Sequence, residues 1–307
     1  MSLCLTKMSE IKEDKTANCP VCRSARTSHA FSAPDAPILR CADCNFLFLY
    51  PQPSDEVLRR IYTENYFLGA TDEPLRARVA AEKTTTAELY LDQLARHGIH
   101  GGRLLEVGCG DGYLLAAAER RGFEVMGVEY SEHAARRARA ALARGQVLVG
   151  ELSDLNLPAE AFDVCVLADV IEHVRDPRSF LATARDCLKP GGGLLVATPS
   201  TDSWSARLMR SRWMEFKTEH MSYFSRRTLE MLLSQTGFHS SQFFPGYKII
   251  SLRSVKAHFE SYPVPLWTPL VRLAFSCLPG SWLDKPRRLA GSGMLVLAAK
   301  NTAIPPQ

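Results

Sequence analysis

One ten-residue segment constrains this chain more than any other: Leu104, Leu105, Glu106, Val107, Gly108, Cys109, Gly110, Asp111, Gly112 and Tyr113 follow one another. An apolar run carrying Glu106 near its end passes into alternating glycines, then into Tyr113–Arg121, which has the composition of a helix. Glycines at such a turn let a ligand approach the backbone closely, and the start of the next helix offers N–H groups that lack intrahelical partners. A strand, a tight turn and a helix in that order predict one unit of a parallel α/β sheet with a nucleotide-like ligand at the turn.

Beyond Gly101 the same alternation repeats. Apolar runs predict strands at Arg103–Val107, Glu124–Glu129, Gln146–Val149, Phe162–Ala168 and Gly193–Thr198. Helices are expected at Tyr113–Arg121, Glu132–Arg144 and Arg178–Leu188, the last ended by a turn at Lys189, Pro190, Gly191 and Gly192. A further helix at Arg226–Thr236 leads to a strand near Phe238–Phe244, and Gly293–Ala299 makes the final strand. The fold class expected is therefore α/β: a Rossmann-like, mostly parallel sheet of about seven strands with helices on both faces. The 307 residues, 46% of them hydrophobic, suffice for a sizeable core. A formal charge of +4 with both signs well mixed announces neither nucleic acid nor an anionic membrane. Met1–Lys15 has no apolar signal segment, so a cytoplasmic location is expected.

The turn separates two ligand classes. A dinucleotide turn wants a small residue where Tyr113 stands, and the Glu106 carboxylate would repel a pyrophosphate but suits a cationic ligand. Glu129 comes 21 residues after Gly108 at the end of the second strand, where a carboxylate can accept both hydroxyls of a ribose.

Together Glu106 to Tyr113, Glu129, Gly150 to Leu152, and Lys189 to Gly192 resemble the successive motifs of class I S-adenosylmethionine-dependent methyltransferases, over roughly residues 85 to 245. The resemblance implies that the turn with Gly108, Gly110 and Gly112 carries the methionine part, that Glu129 holds the ribose, and that Glu151 and Leu152 border the adenine. Glu106, Tyr113, Tyr130 and Ala168 complete the expected cofactor-binding set. Phe162 to Val164, Asp169 to Pro177 and Glu219 to Ser225 resemble the branch that contains the ubiquinone-biosynthesis O-methyltransferases. That branch methylates oxygen, nitrogen or carbon, so the resemblance implies the donor and leaves the acceptor open. The expectation is a small-molecule acceptor, with oxygen favoured and S-adenosylhomocysteine as product. The alternative is an RNA methyltransferase, although Arg136, Arg137, Arg139 and Arg144 read as the solvated face of an alanine-rich helix.

Ahead of this region, Cys19 and Cys22 form one C-x-x-C pair and Cys41 and Cys44 a second, 18 residues apart. That spacing predicts a four-cysteine zinc ribbon whose metal is structural. The expected organisation is a ribbon with a disordered N-terminus over 1–50, a helical linker or lid over 51–100, and a methyltransferase domain over 101–307 with a helical insertion at about 248–290.

On the acceptor side His173 and His220 are the candidate catalytic bases, since an imidazole near neutral pKa can take a hydroxyl proton. Asp169, Glu172, His173 and His220 form a candidate divalent-cation set that resembles the metal site of small-RNA 2′-O-methyltransferases, with Asp169 where those place Glu. Trp204, Trp213, Phe216, Tyr223 and Phe224 are candidates to wall an apolar pocket. Val264–Leu283 is apolar, yet Pro265, Pro269, Arg272 and Pro279 argue against a spanning helix and leave a helical insertion or a peripheral membrane contact.

Overall fold

The computed structural model describes residues 17–33, 37–61, 73–261 and 263–302. The expected disordered N-terminus up to residue 16 and residues 62–72 of the expected helical linker lie outside them.

The main sheet has seven strands in the order β10-β11-β8-β7-β4-β5-β6. These are β4 Arg103–Val107, β5 Glu124–Glu129, β6 Gln146–Val149, β7 Phe162–Ala168, β8 Leu188–Pro199, β10 Phe238–Ile250 and β11 Arg287–Lys300. Strands β8, β7, β4, β5 and β6 run parallel, and β11 lies antiparallel between β10 and β8. Leu104, Leu105, Val164, Cys165, Val166 and Leu195 are fully buried because helices cover both faces, which is why the central strands read as unbroken apolar runs.

Helix α2 (Glu73–Arg96) packs Ala87, Tyr90, Leu91 and Leu94 on one face together with α3 (Tyr113–Arg120) and α4 (Glu132–Ala141). The other face takes α5 (Pro177–Cys187), α7 (Arg226–Gln235) and the N-terminal ribbon. Caps set the helix starts: Asp176 accepts from the Arg178 and Ser179 N–H groups ahead of α5, and Ser225 with Thr228 closes a capping box on α7. Helix α4 stops at Ala141, short of Arg144, because the Glu119 carboxylate draws off the N–H groups of Ala143, Arg144 and Gly145 at 2.7 Å each.

Two expectations change. Lys189 to Gly192 do not terminate a helix; they bulge inside β8 opposite Asp163, where Lys189 Nζ lies 2.7 Å from the Asp163 carboxylate. Strands β10 and β11 are also longer than their apolar runs. Beyond the sheet they continue as a two-stranded arm pairing Ile250 with Arg287, tipped by α8 (Leu252–Ser261), α9 (Trp267–Ser276) and α10 (Gly280–Asp284). Glu82 and Thr86 of α2 hold the arm by accepting the Ser251 and Ile249 N–H groups at 2.8 and 3.0 Å. Among the described residues no helix is long and apolar enough to cross a membrane.

The ribbon is a second sheet, β1 (Thr27–Ser32), β2 (Pro37–Cys41) and β3 (Leu47–Leu49), followed by the short helix α1 (Asp55–Ile61). Its fourth strand is β9 (Ser222–Tyr223), contributed from some 170 residues away and reached through α6 (Trp204–Met209).

Candidate active site

The chain runs β4, β5, β6 to one side and returns to the other side of β4 with β7, so a crevice opens at the carboxyl ends of β4 and β7. The glycine turn stands there. Gly108, Gly110 and Gly112 have φ of +71°, +53° and +79°, a region that side-chain-bearing residues avoid. Neighbours demand glycine as well: a Cβ on Gly108 would lie 2.3 Å from Val170, and one on Gly112 2.9 Å from Ala138.

Two buried carboxylates face this turn. Glu106 is 4% exposed, and its Oε2 is buried with no hydrogen-bond partner. Burial, with the nearby Glu129 charge, pushes its carboxyl well above the usual range. Glu129 accepts the Gly110 N–H on one oxygen and the Ser131 N–H on the other, both at 2.8 Å. Burial raises its carboxyl too, and those backbone donors partly offset the effect. Each oxygen keeps a further lone pair for a ligand hydroxyl.

The other cofactor candidates follow the carboxyl ends of β4, β5, β6 and β7. Tyr113 opens α3 half-buried, Tyr130 is exposed just past β5, and Ala168 is half-buried at the end of β7. Glu151 is exposed, while Leu152 is packed into the core cluster that includes Val128. Asp111, Arg137 and Lys83 escaped the sequence reading. Asp111 is buried and takes Arg137 Nε at 2.8 Å, so Arg137 does not belong to the solvated face on which Arg136, Arg139 and Arg144 lie exposed. Lys83 of α2 lies 5.8 Å from the centre of the Tyr113 ring, and burial lowers its ammonium pKa. Nothing local in the sequence pairs residues 83, 111 and 137.

Across the crevice, a 3-10 turn at Ile171–His173 follows β7. Glu172, His173 and His220 come together, with one ligand atom from each lying within 4.8 Å of the others. The two imidazoles meet edge-on with centres 4.6 Å apart. His173 Nδ1 lies 3.0 Å from the Glu219 carbonyl and His220 Nδ1 2.9 Å from the Glu215 carbonyl, so each Nδ1–H donates and each Nε2 carries the lone pair. Burial brings the His173 pKa down to about 4 and that of His220 well below its ordinary value. Both rings are neutral at pH 7, and neither has the near-neutral pKa expected of a general base. Glu172 accepts Thr198 Oγ1 at 2.9 Å, and burial beside Asp169 lifts its carboxyl to about 8.

Asp169 does not join this group. It sits at φ +55° and forms an ion pair with Lys248 Nζ at 2.6 Å, which removes it from the expected four-residue set. Lys248 reaches in from β10, and Glu215 and Lys217 precede His220, so this side of the crevice holds charges from three distant segments.

The aromatic candidates do not form one wall. Trp204 is 63% exposed, Trp213 is buried with Met209, Phe259 and Val264, and Phe224 lies in the main core 5.1 Å from Phe46. Phe216 and Tyr223 stack edge-on at 4.8 Å under the ribbon. Packing accounts for Trp213, Phe216, Tyr223 and Phe224.

In the ribbon, Cys19 Sγ lies 3.6 Å from Cys44 Sγ and Cys22 Sγ 3.4 Å from Cys41 Sγ, with the four sulfurs within 4.8 Å of one another. Each knuckle closes on a residue in the left-handed region, Arg23 and Asn45, both at φ 62°. Burial pushes the Cys19 thiol up to about 11 and raises Cys44 further; for Cys41, hydrogen bonds from Cys44 and Cys22 outweigh burial and lower it. The ribbon touches the Glu172 and His220 region through the backbone: Leu49 N–H donates to Met221 O at 3.0 Å, and Met221 N–H donates to Glu172 O at 2.8 Å.

A family pattern described as a methyltransferase domain matches residues 78–241. The chain is 38% identical over 121 residues to a Mycolicibacterium smegmatis protein named as a probable S-adenosylmethionine-dependent methyltransferase, covering 38% of this chain and 46% of that protein. It is 37% identical over 119 residues to a ubiquinone biosynthesis O-methyltransferase of Alkalilimnicola ehrlichii, covering 36% of this chain and 47% of that protein. The chain thus spans about half the length of the curated relatives it matches. The structure of Haemonchus contortus phosphoethanolamine N-methyltransferase 2 in complex with S-adenosyl-L-methionine shares the fold, with a TM-score of 0.52 at 19% identity, covering 83% of this chain and 62% of that one. With the family match extending over more than half of its 307 residues, the chain belongs to the methyltransferase-domain family, of the class I S-adenosylmethionine-dependent type.

Proposed function

We propose that this chain methylates an oxygen of a small-molecule acceptor, with S-adenosylmethionine as donor and S-adenosylhomocysteine as product. One observation carries the reading: a buried, unpartnered carboxylate oxygen on Glu106 beside the glycine turn, at the sheet end where the turn after β7 brings Glu172 and His173 together with His220. The donor supplies an electrophilic sulfonium methyl group when bound. Glu106 would receive a cationic group of that ligand, and the remaining lone pairs on Glu129 would accept its ribose hydroxyls. Holding the acceptor in line is the larger part of such a reaction.

Burial favours a small acceptor over RNA: His220 is 5% exposed, and the ribbon turns Val21, Phe46 and Phe48 into the common core. The curated relatives named as O-methyltransferases support oxygen as the accepting atom. Glu172, His173 and His220 would hold a divalent cation, whose chemistry there is to lower the pKa of an acceptor hydroxyl. The ribbon would hold a structural zinc: a tetrahedron with Zn–S of ~2.3 Å has edges of about 3.8 Å, close to the Cys19–Cys44 and Cys22–Cys41 separations of 3.6 and 3.4 Å.

Calorimetric titration with S-adenosylmethionine, S-adenosylhomocysteine and NAD tests the donor, and binding of NAD alone would overturn the reading. Transfer of labelled methyl to a panel of phenols and catechols, beside total RNA, tests the acceptor. Label in RNA alone contradicts the small-molecule assignment. Manganese binding followed by electron paramagnetic resonance, in wild type and His173→Ala/His220→Ala, tests the cation, and equal binding by both removes it from this site.

A further inference from the structure

Helix α9 faces the wrong way for a soluble helix. Leu270 and Leu273, three residues apart on one face, are 57% and 66% exposed; Leu266 just ahead of the helix is 68% exposed, and Cys277 just beyond it is exposed too. The opposite face does the packing: Thr268 is buried, and Val271 rests on the cluster of Met209, Trp213, Phe259 and Val264. Trp282 on the following helix is 57% exposed, so large apolar side chains continue beyond the stripe.

The surrounding charge is mostly basic. Arg272, Lys285, Arg287 and Arg288 fall between residues 263 and 291, against Asp284, which Arg78 and Arg253 already engage, and Glu260 of α8, which lies 3.9 Å from Arg272. The Arg287 guanidinium lies over the Trp282 ring at 5.0 Å. Exposed leucines along one helix face, a tryptophan and flanking arginines form the composition of a helix lying in a lipid interface, where apolar burial and attraction to anionic headgroups add.

We propose that α9 and α10 dock this protein on an anionic phospholipid surface, with Leu266, Leu270 and Leu273 inserted and Lys285, Arg287 and Arg288 against the headgroups. Helix α9 packs through Val271 on the cluster of Met209 and Trp213, which precede Glu215 and His220 in the chain, so docking brings the His220 segment toward the lipid.

The test is co-sedimentation with vesicles of phosphatidylcholine alone and of phosphatidylcholine with 30% phosphatidylglycerol. Wild type should bind the anionic vesicles and be released by salt; Leu270→Glu/Leu273→Glu should reduce partitioning at least about tenfold. The leucines are mostly exposed, so the variant should keep the wild-type melting temperature and S-adenosylmethionine affinity, which makes its loss of binding specific. No binding to anionic vesicles, or equal binding by the variant, overturns the proposal. So does a concentration-dependent dimer in analytical ultracentrifugation that the double variant abolishes, since a second copy would then cover this face.

Discussion

Replacing Glu106 by Gln should make the free protein more stable and the ligand-bound protein weaker. In the wild type, a carboxylate 4% exposed keeps Oε2 without a partner, and burial raises its pKa well above the usual range. A buried polar atom left unsatisfied costs about 1–3 kcal/mol, more when charged, and the amide removes the charge while keeping the shape. For a chain of this size 1 kcal/mol moves the melting temperature by about 2–4 °C, so Glu106→Gln should raise it by about 2–8 °C at pH 7 without ligand. The linkage sign gives a second check. Because the folded pKa lies above the unfolded one, the wild type holds this proton more tightly when folded, and the group destabilises the fold once ionised. The difference between variant and wild type should therefore shrink as pH falls from 8 toward 4.5. A lost charge-assisted hydrogen bond of about 1.5–3 kcal/mol predicts affinity for S-adenosylmethionine about 10- to 100-fold weaker. Differential scanning fluorimetry across pH and isothermal calorimetry measure both quantities. A variant that melts lower, or binds S-adenosylmethionine as tightly as wild type, refutes the assignment of Glu106 to a cationic ligand group.

Glu129→Ala should weaken S-adenosylmethionine binding about tenfold or more, and should lower the melting temperature because the Gly110 and Ser131 N–H groups lose their acceptor; calorimetry showing unchanged affinity would contradict the ribose role. Native mass spectrometry should find one zinc in the wild type and none in Cys41→Ser, whose melting temperature should fall by several degrees; a metal-free wild type would remove the zinc. Partial burial raises the Asp163 carboxyl, but Lys189, the Arg103 N–H and the Arg103 charge outweigh it and hold it below the usual range. Its stabilisation is thus present above the unfolded pKa of about 3.9 and lost as pH falls through the folded value. Asp163→Asn should cost about 1 kcal/mol at pH 7, discounted for solvent, with the deficit closing near pH 3 in acid denaturation curves; a deficit independent of pH would rule out the charge.

What was legible in the sequence was local. Strands β4, β5 and β7 coincide with their apolar runs because both faces of a central parallel strand are buried, so composition alone marks their ends. The two C-x-x-C pairs and the three glycines show for a similar reason: a knuckle or a left-handed turn is set by residues adjacent in the chain. Only the tertiary structure decided which groups meet around Glu172, His173 and His220. Asp169 was taken out of the candidate metal set by Lys248, 79 residues later, and Arg137 was turned inward by Asp111, 26 residues earlier. The histidines were legible as residues but not as weak bases, because their depressed pKa values come from burial by segments far apart in sequence. The same holds for β9: a two-residue strand has no sequence signature, and it exists because β3 of the ribbon, far upstream, offers its free edge to the chain beside His220.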